Sequence, residues 1–328
     1  MTTLDRALPG TAPASAHPAA QAGDGMQLEL GAFAYFEGQL VPLADARVSI
    51  ATHAFNYGTA VFEGIRAYRQ DDGSLAILFG REHYERLLRN GRLLRASVPE
   101  TADDLVEITR ELLRRNEHQG DVYVRPLLYK ASHSIRLQLT GLRDSIAIYT
   151  FPLGEYLPTG GLRATLSGWQ RINDNAIPAR GKVSGSYVNA CFAAEDAHAG
   201  GYGEAILLTS DGHVAEASSA NLFVVRGDEI ATPPLADDVL AGITRGAIMR
   251  IAADGGRPVV ERKIDRTELY LADEVFLTGT GVQLAPVASI DGREIGSGEF
   301  PVALELQRRY FAAVRGTDPR YAAWLTPV

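Results

Sequence analysis

The segment Ile177-Pro-Ala-Arg-Gly-Lys182-Val-Ser-Gly-Ser-Tyr187 precedes an apolar, helix-like stretch and contains one of the three lysines of the chain, the others being Lys130 and Lys263. Arginine supplies the remaining basic residues and keeps its proton in proteins, whereas a buried lysine can have its pKa lowered and form an imine. A GC-rich genome also leaves few lysines, so composition alone does not assign Lys182 a role. Evidence for a role of Lys182 has to come from the residues around it and from the rest of the chain.

Size and charge narrow the classes of protein that the chain can represent. Its 328 residues, 46% hydrophobic and 22% charged, exceed the usual extent of one hydrophobic core, so we expect two globular domains. A formal net charge of −8 gives no general basic field for a phosphate polymer or an anionic membrane. We therefore predict small molecules as partners, and neither nucleic acid nor a membrane.

Cysteine and histidine give little support for a disulfide or a metal site. Cys191 is the single cysteine, and the seven histidines show no metal-binding spacing, so no metal is expected. There is no apolar run of about eighteen residues, and residues 1–25 lack the pattern of a signal peptide. These features predict a cytoplasmic protein.

Composition and periodicity divide the chain into four parts. We predict a mobile tail at 1–27, a small α/β domain at 28–150, a Pro- and Gly-rich linker at 151–162 and a large domain at 163–328. Strand and helix patterns alternate within the domains. The patterns predict strands at 33–41 (a hairpin), 75–79, 122–129, 145–151, 163–169 and 274–278, helices at 81–95, 102–116, 186–199 and from 243, and a hairpin around Asp211-Gly212.

A carboxylate on this second hairpin is a candidate partner for an imine-forming cofactor. A cofactor such as pyridoxal phosphate needs an acid at its ring nitrogen and donors at its phosphate. Glu216 follows the Asp211-Gly212 turn among small residues, where a charge that faces the core is costly unless it is paired. On a half-exposed strand Glu216 would instead face water, and the spacing fits both arrangements.

Two glycine-containing segments are candidates for binding an anion. Leu240-Ala-Gly-Ile-Thr-Arg245 starts a helix in which Gly242 permits close approach, while the amides of Ile243 and Thr244 can face a phosphate. Glycine and threonine also begin many helices simply as caps. Gly279-Thr280-Gly281 ends a strand and is the second candidate, although small residues there also form ordinary turns.

Six segments, taken in order, resemble the motifs of the branched-chain aminotransferases, members of the class IV (fold type IV) pyridoxal-phosphate enzymes. The resemblance covers about residues 33–315. It implies an α/β (α+β) fold of two domains, similar to D-amino-acid aminotransferase, with pyridoxal 5'-phosphate between the domains. The segments are Tyr57-Gly-Thr-Ala-Val-Phe-Glu-Gly-Ile-Arg66, Tyr123-Val-Arg125-Pro, the Lys182 segment, Ala215-Glu216-Ala-Ser-Ser-Ala-Asn221-Leu-Phe, Leu240-Ala-Gly-Ile-Thr-Arg245 and Gly279-Thr280-Gly281.

The resemblance also implies how the cofactor is bound. Lys182 corresponds to the Schiff-base lysine and Glu216 to the partner of the ring nitrogen. Tyr187 would hydrogen-bond the ring hydroxyl, and Leu240 would pack on the ring face. The implied residues around the phosphate are Arg86, Gly242, Ile243, Thr244, Gly279 and Thr280.

Substrate recognition is implied in the same way. Tyr123 and Arg125 are two residues apart on a strand, so their side chains emerge on one face. In the family, Tyr123 with the amides of Thr280 and Gly281 holds the α-carboxylate, and Arg125 receives the second carboxylate of glutamate or 2-oxoglutarate. The implied acid-binding part also includes Tyr57, Arg66 matches a nearby basic position, and the side-chain pocket comprises Phe62, Gly64, Tyr156 and Tyr187.

The implied activity is a ping-pong transamination in which Lys182 acts as anchor, base and acid. Leucine, isoleucine or valine would donate the amino group to 2-oxoglutarate, giving a 2-oxo acid and L-glutamate in amino-acid biosynthesis. The resemblance also implies a homodimer or higher homo-oligomer, because a loop of the neighbouring subunit completes the pocket.

Three departures from the family pattern affect specificity and leave the cofactor residues intact. The loop 131–139 is bulkier than the usual glycine-rich loop and carries Arg136, Leu153 replaces a linker tryptophan, and Gly281 stands where alanine is frequent. Broadened specificity, a D-amino-acid or (R)-amine transaminase and an aminodeoxychorismate lyase remain open. A non-catalytic binding module is the alternative from another class.

Overall fold

The computed structural model describes residues 28–154 and 161–328. The predicted tail, and residues 155–160 of the predicted linker, lie outside these ranges. The described strands are β1 (Phe33–Phe36), β2 (Gln39–Pro42), β3 (Ala60–Phe62), β4 (Ile65–Arg69), β5 (Leu75–Leu78), β6 (Val122–Lys130), β7 (Asp144–Pro152), β8 (Leu162–Gln170), β9 (Glu204–Leu208), β10 (Val214–Ala217), β11 (Asn221–Arg226), β12 (Glu229–Thr232), β13 (Val259–Glu261), β14 (Glu274–Gly279), β15 (Gln283–Ile290), β16 (Arg293–Glu294) and β17 (Leu325–Pro327). The α-helices are α1 (His53–Tyr57), α2 (Gly80–Gly91), α3 (Ala102–Asn116), α4 (Tyr187–Ala199), α5 (Ile243–Asp254) and α6 (Pro301–Val314).

The first sheet is antiparallel and has the order β17-β5-β4-β6-β7-β1-β2, with β3 beside β6. Its longest pair is β6 with β7, in which Val122 lies opposite Pro152 and Lys130 opposite Asp144. Helices α2 and α3 cover the sheet, and their apolar faces share a core with Val124. The start of α3 is fixed by a capping box, so these helices present a defined face to the strands.

The second sheet mixes parallel and antiparallel pairs in the order β10-β9-β8-β15-β14-β11-β12-β13, with β16 beside β15. Strand β8 is parallel to both β9 and β15. Helices α5 and α6 pack on this sheet, burying Ile248 and Leu306 with Phe276. Small residues let α4 approach closely, since Ala193 and Ala197 pack on Ala205.

The two halves of the fold interlock. Tyr68 of β4 and Leu78 of β5 are buried in the core of the second sheet rather than in that of the first. In return, β17 at the end of the chain pairs with β5 of the first sheet. The sequence did not predict this pairing. Both connections hold the sheets in a fixed relation around the cavity between them.

The predicted helices and strands are confirmed, with differences at their ends. The helix predicted at 81–95 ends as α2 at Gly91, and a 3-10 turn at Arg92–Leu94 completes it. Asp211-Gly212 turns the chain between β9 and β10, where Gly212 has a φ of 89°. Within the described ranges, no helix combines the length and the apolar character that a membrane crossing requires.

Candidate active site

A cavity of about 330 Å³ between the two sheets brings most of the predicted site residues together. Its wall combines an amine, a carboxylate, three guanidinium groups and several hydroxyls. The first half of the chain contributes Phe62, Gly64, Arg86, Tyr123 and Arg125, and the second half Arg171, Lys182, Tyr187, Glu216, residues 218–221, Leu240, Gly242, Ile243, Thr244 and residues 278–282.

Lys182 has a left-handed backbone conformation, with φ 46° and ψ 45°. Its carbonyl accepts a hydrogen bond from the Phe62 amide at 3.2 Å, so the segment is attached to the first sheet. The Nζ atom donates to the Tyr187 hydroxyl at 2.8 Å and lies 4.7 Å from the centre of the Phe62 ring. A backbone conformation that is unfavourable for lysine is thus held in place where the amine enters the cavity.

Glu216 is buried, with 6% of its surface exposed, and faces the cavity rather than water. Its Oε1 atom lies 2.8 Å from Nη2 of Arg171, while Oε2 accepts from Nδ2 of Asn221 at 2.9 Å and from the Leu240 amide at 3.0 Å. Burial raises the pKa of Glu216, and Arg171 and the Leu240 amide act in the opposite direction. The carboxylate is therefore paired at every oxygen, as a buried charge requires.

The start of α5 forms one end of the cavity. Gly242 caps the helix without a side-chain hydrogen bond, which leaves the first amides of α5 available to an anion. A Cβ atom on Gly242 would lie 2.0 Å from Oδ1 of Asn221, so a larger residue there would displace the Asn221 side chain. The hydroxyl of Thr278, also in the wall, is buried with no hydrogen-bond partner in the described part of the chain. Thr244, Gly279 and Thr280 line the same cavity.

Arg86 adds a fixed cation to the cavity wall. Its Nε and Nη2 atoms donate to Oε1 and Oε2 of Glu63 at 2.6 and 2.7 Å, and Nη1 donates to the Ala241 carbonyl at 2.6 Å. Burial alone would raise the pKa of Glu63, but the Arg86 guanidinium holds it well below its usual range. Since Ala241 adjoins Gly242, the guanidinium and the first turn of α5 lie together at one end of the cavity, and their charge and free amides suit an anion.

The predicted substrate side contains both basic and aromatic groups. Tyr123 and Arg125 do share a face of β6, and Nη2 of Arg125 donates to the Tyr123 hydroxyl at 3.3 Å. The Arg125 guanidinium also lies 4.8 Å from the centre of the Phe62 ring. Gly64 keeps this side open, since a Cβ atom there would lie 1.9 Å from the Tyr123 hydroxyl oxygen. Gly281 lines the opposite wall.

Two predicted site residues that the structure describes, Tyr57 and Arg66, do not line this cavity, and a third lies outside the described residues. Tyr57 is 40% exposed and donates to the Ile135 carbonyl at 2.9 Å, because α1 directs it toward the loop 131–139. Arg66 is buried behind the wall, where its Nη2 atom donates to the carbonyls of Leu153 and Gly154. Tyr156 lies in the undescribed range 155–160.

Three residues of the site were not predicted from the sequence. Arg171 and Asn221 line the cavity, and Glu63 supports Arg86. Glu63 had a signal, because it is the one charge within the apolar run Ala60-Val-Phe-Glu-Gly-Ile65, which favours a buried ion pair. Asn221 lies within the segment Ala215-Glu216-Ala-Ser-Ser-Ala-Asn221-Leu-Phe. Arg171 had no local signal, since its partner Glu216 is 45 positions away in the sequence. Over residues 28–154 and 161–328, no cluster of three or more His, Cys, Asp or Glu is arranged to hold a metal.

Known proteins are similar to this chain over most of its length. The family described as Amino-transferase class IV matches residues 60–290. A probable branched-chain-amino-acid aminotransferase from Aquifex aeolicus (strain VF5) is 49% identical over 300 residues, which are 90% of this chain and 96% of that protein.

Two solved structures share the fold. The branched-chain aminotransferase from Thermoproteus uzoniensis with norvaline superimposes with a TM-score of 0.87 at 40% identity, covering 90% of this chain and 99% of that one. The T.th. branched-chain amino acid aminotransferase complexed with N-(5'-phosphopyridoxyl)-L-glutamate gives a TM-score of 0.88 at 39% identity, covering 92% and 99%.

Proposed function

Because the chain belongs to the class IV aminotransferases, and within them to the branched-chain-amino-acid aminotransferases, we propose that it transfers the amino group of L-leucine, L-isoleucine or L-valine to 2-oxoglutarate. The products are the 2-oxo acid and L-glutamate, and the cofactor is pyridoxal 5'-phosphate. One observation carries the proposal: the Lys182 amine lies in a cavity that has Arg86 and the start of α5 at its anion-binding end and the buried carboxylate of Glu216 in its wall.

The residues of the cavity fit this cofactor. Arg86, the first amides of α5 and the threonine hydroxyls, including the unpartnered Thr278, suit a phosphate dianion. Glu216 suits a protonated ring nitrogen, since Arg171 favours its ionised form. When bound, pyridoxal 5'-phosphate supplies an aldehyde that condenses with amines and a ring that withdraws electrons from the substrate α-carbon.

Lys182 is the proposed proton carrier. Once the substrate amine has replaced the Lys182 amine, the free Nζ atom removes the proton from the α-carbon of the amino acid. In the reverse direction Nζ returns a proton to the α-carbon. The Tyr187 hydroxyl, 2.8 Å from Nζ, orients the amine. One lysine serves both half-reactions. Because the first 2-oxo acid leaves before 2-oxoglutarate binds, the kinetics should be ping-pong.

Acid recognition separates this proposal from an amine transaminase. Tyr123 and the amides of Thr280 and Gly281 are proposed to hold the α-carboxylate, and Arg125 the second carboxylate of glutamate. The rings of Phe62 and Tyr187, 4.7 Å apart in an edge-to-face arrangement, offer an apolar wall to a branched side chain. The two solved relatives carry norvaline and a phosphopyridoxyl derivative of glutamate, one apolar and one acidic amino acid.

We also propose that the chain works as a homodimer. A patch of apolar side chains around α1 and the loop 131–139 is exposed, with Ile50 at 82%, Phe55 at 69% and Leu137 at 87%. Exposed apolar patches of this kind mark association surfaces. Tyr57 belongs to this patch rather than to its own cavity, which supports a role for it in the cavity of a second copy. A cytoplasmic location and a biosynthetic role stay predictions.

Substitution of Lys182 tests the function. Lys182→Ala should lose all detectable transfer from L-leucine to 2-oxoglutarate, because no other amine lines the described cavity. Lys263→Ala is the matched control: this lysine pairs with Asp211 at the surface, at 2.6 Å, and its loss should leave turnover unchanged. Near-normal transfer by Lys182→Ala would refute the proposal.

The amino donor is tested with a substrate panel. Wild-type protein should react with L-leucine faster than with D-alanine or (R)-1-phenylethylamine, each with 2-oxoglutarate as acceptor. A preference for either of the last two would assign the chain to the D-amino-acid or (R)-amine alternative. Pyruvate release from aminodeoxychorismate would instead reveal the lyase.

A further inference from the structure

We propose that Glu63 is a positioning residue that aims the Arg86 guanidinium at the phosphate of the cofactor. This inference rests on the proposed function, since it presumes that the anion at this end of the cavity is the cofactor phosphate. Glu63 does not line the cavity itself. It acts through Arg86, which does.

Three hydrogen bonds hold the guanidinium of Arg86 in one orientation. A guanidinium carries five N–H donors in a rigid plane. Glu63 takes two of them through a bidentate contact at Nε and Nη2, and the Ala241 carbonyl takes one from Nη1. Among the residues that the structure describes, one donor on each terminal nitrogen is left over, and the cavity is the space that Arg86 lines. Donors on two terminal nitrogens can serve two phosphate oxygens.

Glu63 is itself held from two sides. Its carboxylate is fully buried, and Oε2 also lies 2.8 Å from Nδ1 of His83, which is one helical turn before Arg86 on α2. Burial lowers the pKa of His83. Because an ionised carboxylate can only accept hydrogen bonds, Nδ1 of His83 is the donor in this contact. The Glu63 amide donates to the Pro126 carbonyl of β6 at 3.0 Å. The carboxylate therefore connects α2 to the first sheet at one defined position.

Two effects of Glu63 on phosphate binding oppose each other. Its negative charge lies next to the phosphate site and, on charge alone, weakens the binding of a dianion. Its two hydrogen bonds hold Arg86 in the binding geometry before the ligand arrives, which reduces the entropy lost on binding. Removing the charge of Glu63 shows which effect is larger, by the direction in which the dissociation constant for pyridoxal 5'-phosphate changes. We expect the positioning effect to be larger, so that this constant rises.

Equilibrium dialysis of the apo protein with pyridoxal 5'-phosphate and with pyridoxal tests the inference. Glu63→Gln keeps the shape but cannot accept from both Nε and Nη2 of Arg86, so its dissociation constant for pyridoxal 5'-phosphate should rise by about tenfold to a hundredfold. The constant for pyridoxal, which has no phosphate, should stay within about threefold. Glu63→Asp, which keeps the charge and shortens the side chain, should show the same selective loss to a smaller degree, and it serves where Glu63→Gln does not fold.

The Arg86→Leu background distinguishes positioning from general stability. Adding Glu63→Gln to Arg86→Leu should cause no further loss of phosphate-dependent affinity, because no guanidinium remains to be aimed. Asp144→Asn is the control for breaking a buried ion pair. It removes the negative charge 2.8 Å from the Lys130 amine, outside the cavity, and should leave the ratio of the two constants unchanged.

Three results would overturn the inference. The first is tighter binding of pyridoxal 5'-phosphate by Glu63→Gln, and the second is an equal loss of affinity for pyridoxal 5'-phosphate and for pyridoxal. The third is that Glu63→Gln weakens phosphate-dependent binding as much in the Arg86→Leu background as in the wild type. A wild-type protein that binds neither ligand would instead refute the proposed function, and the two failures are thus distinguishable.

Discussion

Arg171 opposes the effect of burial on the carboxylate of Glu216. Burial raises the pKa of Glu216, and the guanidinium 2.8 Å away opposes this rise. Arg171→Gln removes the opposing charge, so the pKa of Glu216 should rise further. Because a protonated ring nitrogen needs an ionised partner, the acidic limb of kcat/KM against pH for L-leucine should move to higher pH.

The strand that precedes Arg171 provides a control for this shift. Arg163, on β8, is exposed and lies 5.6 Å from the centre of the Tyr202 ring, and it does not line the cavity. Arg163→Gln should leave the pH profile in place. An Arg171→Gln profile that coincides with that of the wild type would show that Arg171 has no influence on the ionisation of Glu216.

Single residues were predictable where a short segment or the order of motifs carried the information. Lys182 and Glu216 have unusual chemistry within their own segments, and the structure places both at one cavity. Arg86 was found only through the resemblance, since on its helix it is one charge among several. Arg171 was missed because an ion pair between distant segments has no periodic or local signature.

At the scale of elements, the segment that carries Lys182 is clamped onto the first sheet. Val183 forms a bridge with Val61 of β3, and the Gly185 amide donates to the Gly58 carbonyl at 3.2 Å. The two glycines touch through their backbones: a Cβ atom on Gly58 would lie 2.7 Å from the Gly185 Cα atom. The close approach aligns β3 with the turn before α4, and with it the amine.

Gly58→Ala should separate the two segments. No flexible side chain can yield at this contact, so we expect a lower melting temperature together with at least a tenfold loss of kcat, since the amine is displaced from its working position. Gly73→Ala is the control, because Gly73 also has a positive φ, 82°, but open space around it. It should cost about 1–2 kcal/mol of stability from backbone strain alone and leave kcat intact. Equal kcat values for the two variants would contradict the clamp.

Elements with regular periodicity were predictable, and long-range pairings were not. Helix α3 begins and ends where its pattern and capping box indicate, and the β9–β10 hairpin follows its turn residues. In contrast, β17 is three residues long and forms only by pairing with β5, more than 240 positions earlier. A strand stabilised by so distant a partner leaves no pattern in its own sequence.

At the scale of the whole molecule, the cavity of one chain lacks a predicted part of its acid-binding side. Tyr57 and the loop 131–139 lie together, exposed, on a surface rich in apolar side chains. Covering that surface with a second copy of the chain would bury it and could bring Tyr57 to the neighbouring cavity. A two-fold symmetric contact would complete both cavities at once, because each copy would contribute its Tyr57 to the cavity of the other.

Mixed dimers test whether Tyr57 acts across the interface. Lys182→Ala should be inactive, and Tyr57→Ala should bind substrate acids poorly, with a KM about tenfold higher. If Tyr57 serves the neighbour, a mixed dimer contains one intact cavity, formed by Lys182 of one chain and Tyr57 of the other. Random mixing should then restore about one quarter of the wild-type kcat/KM, since half of the dimers are mixed and half of their cavities are intact. If Tyr57 serves its own chain, no mixed dimer has an intact cavity, and activity should not exceed that of the Tyr57→Ala protein present. Pairing Tyr57→Ala with the double variant Lys182→Ala/Tyr57→Ala supplies the control, because neither arrangement predicts recovery there.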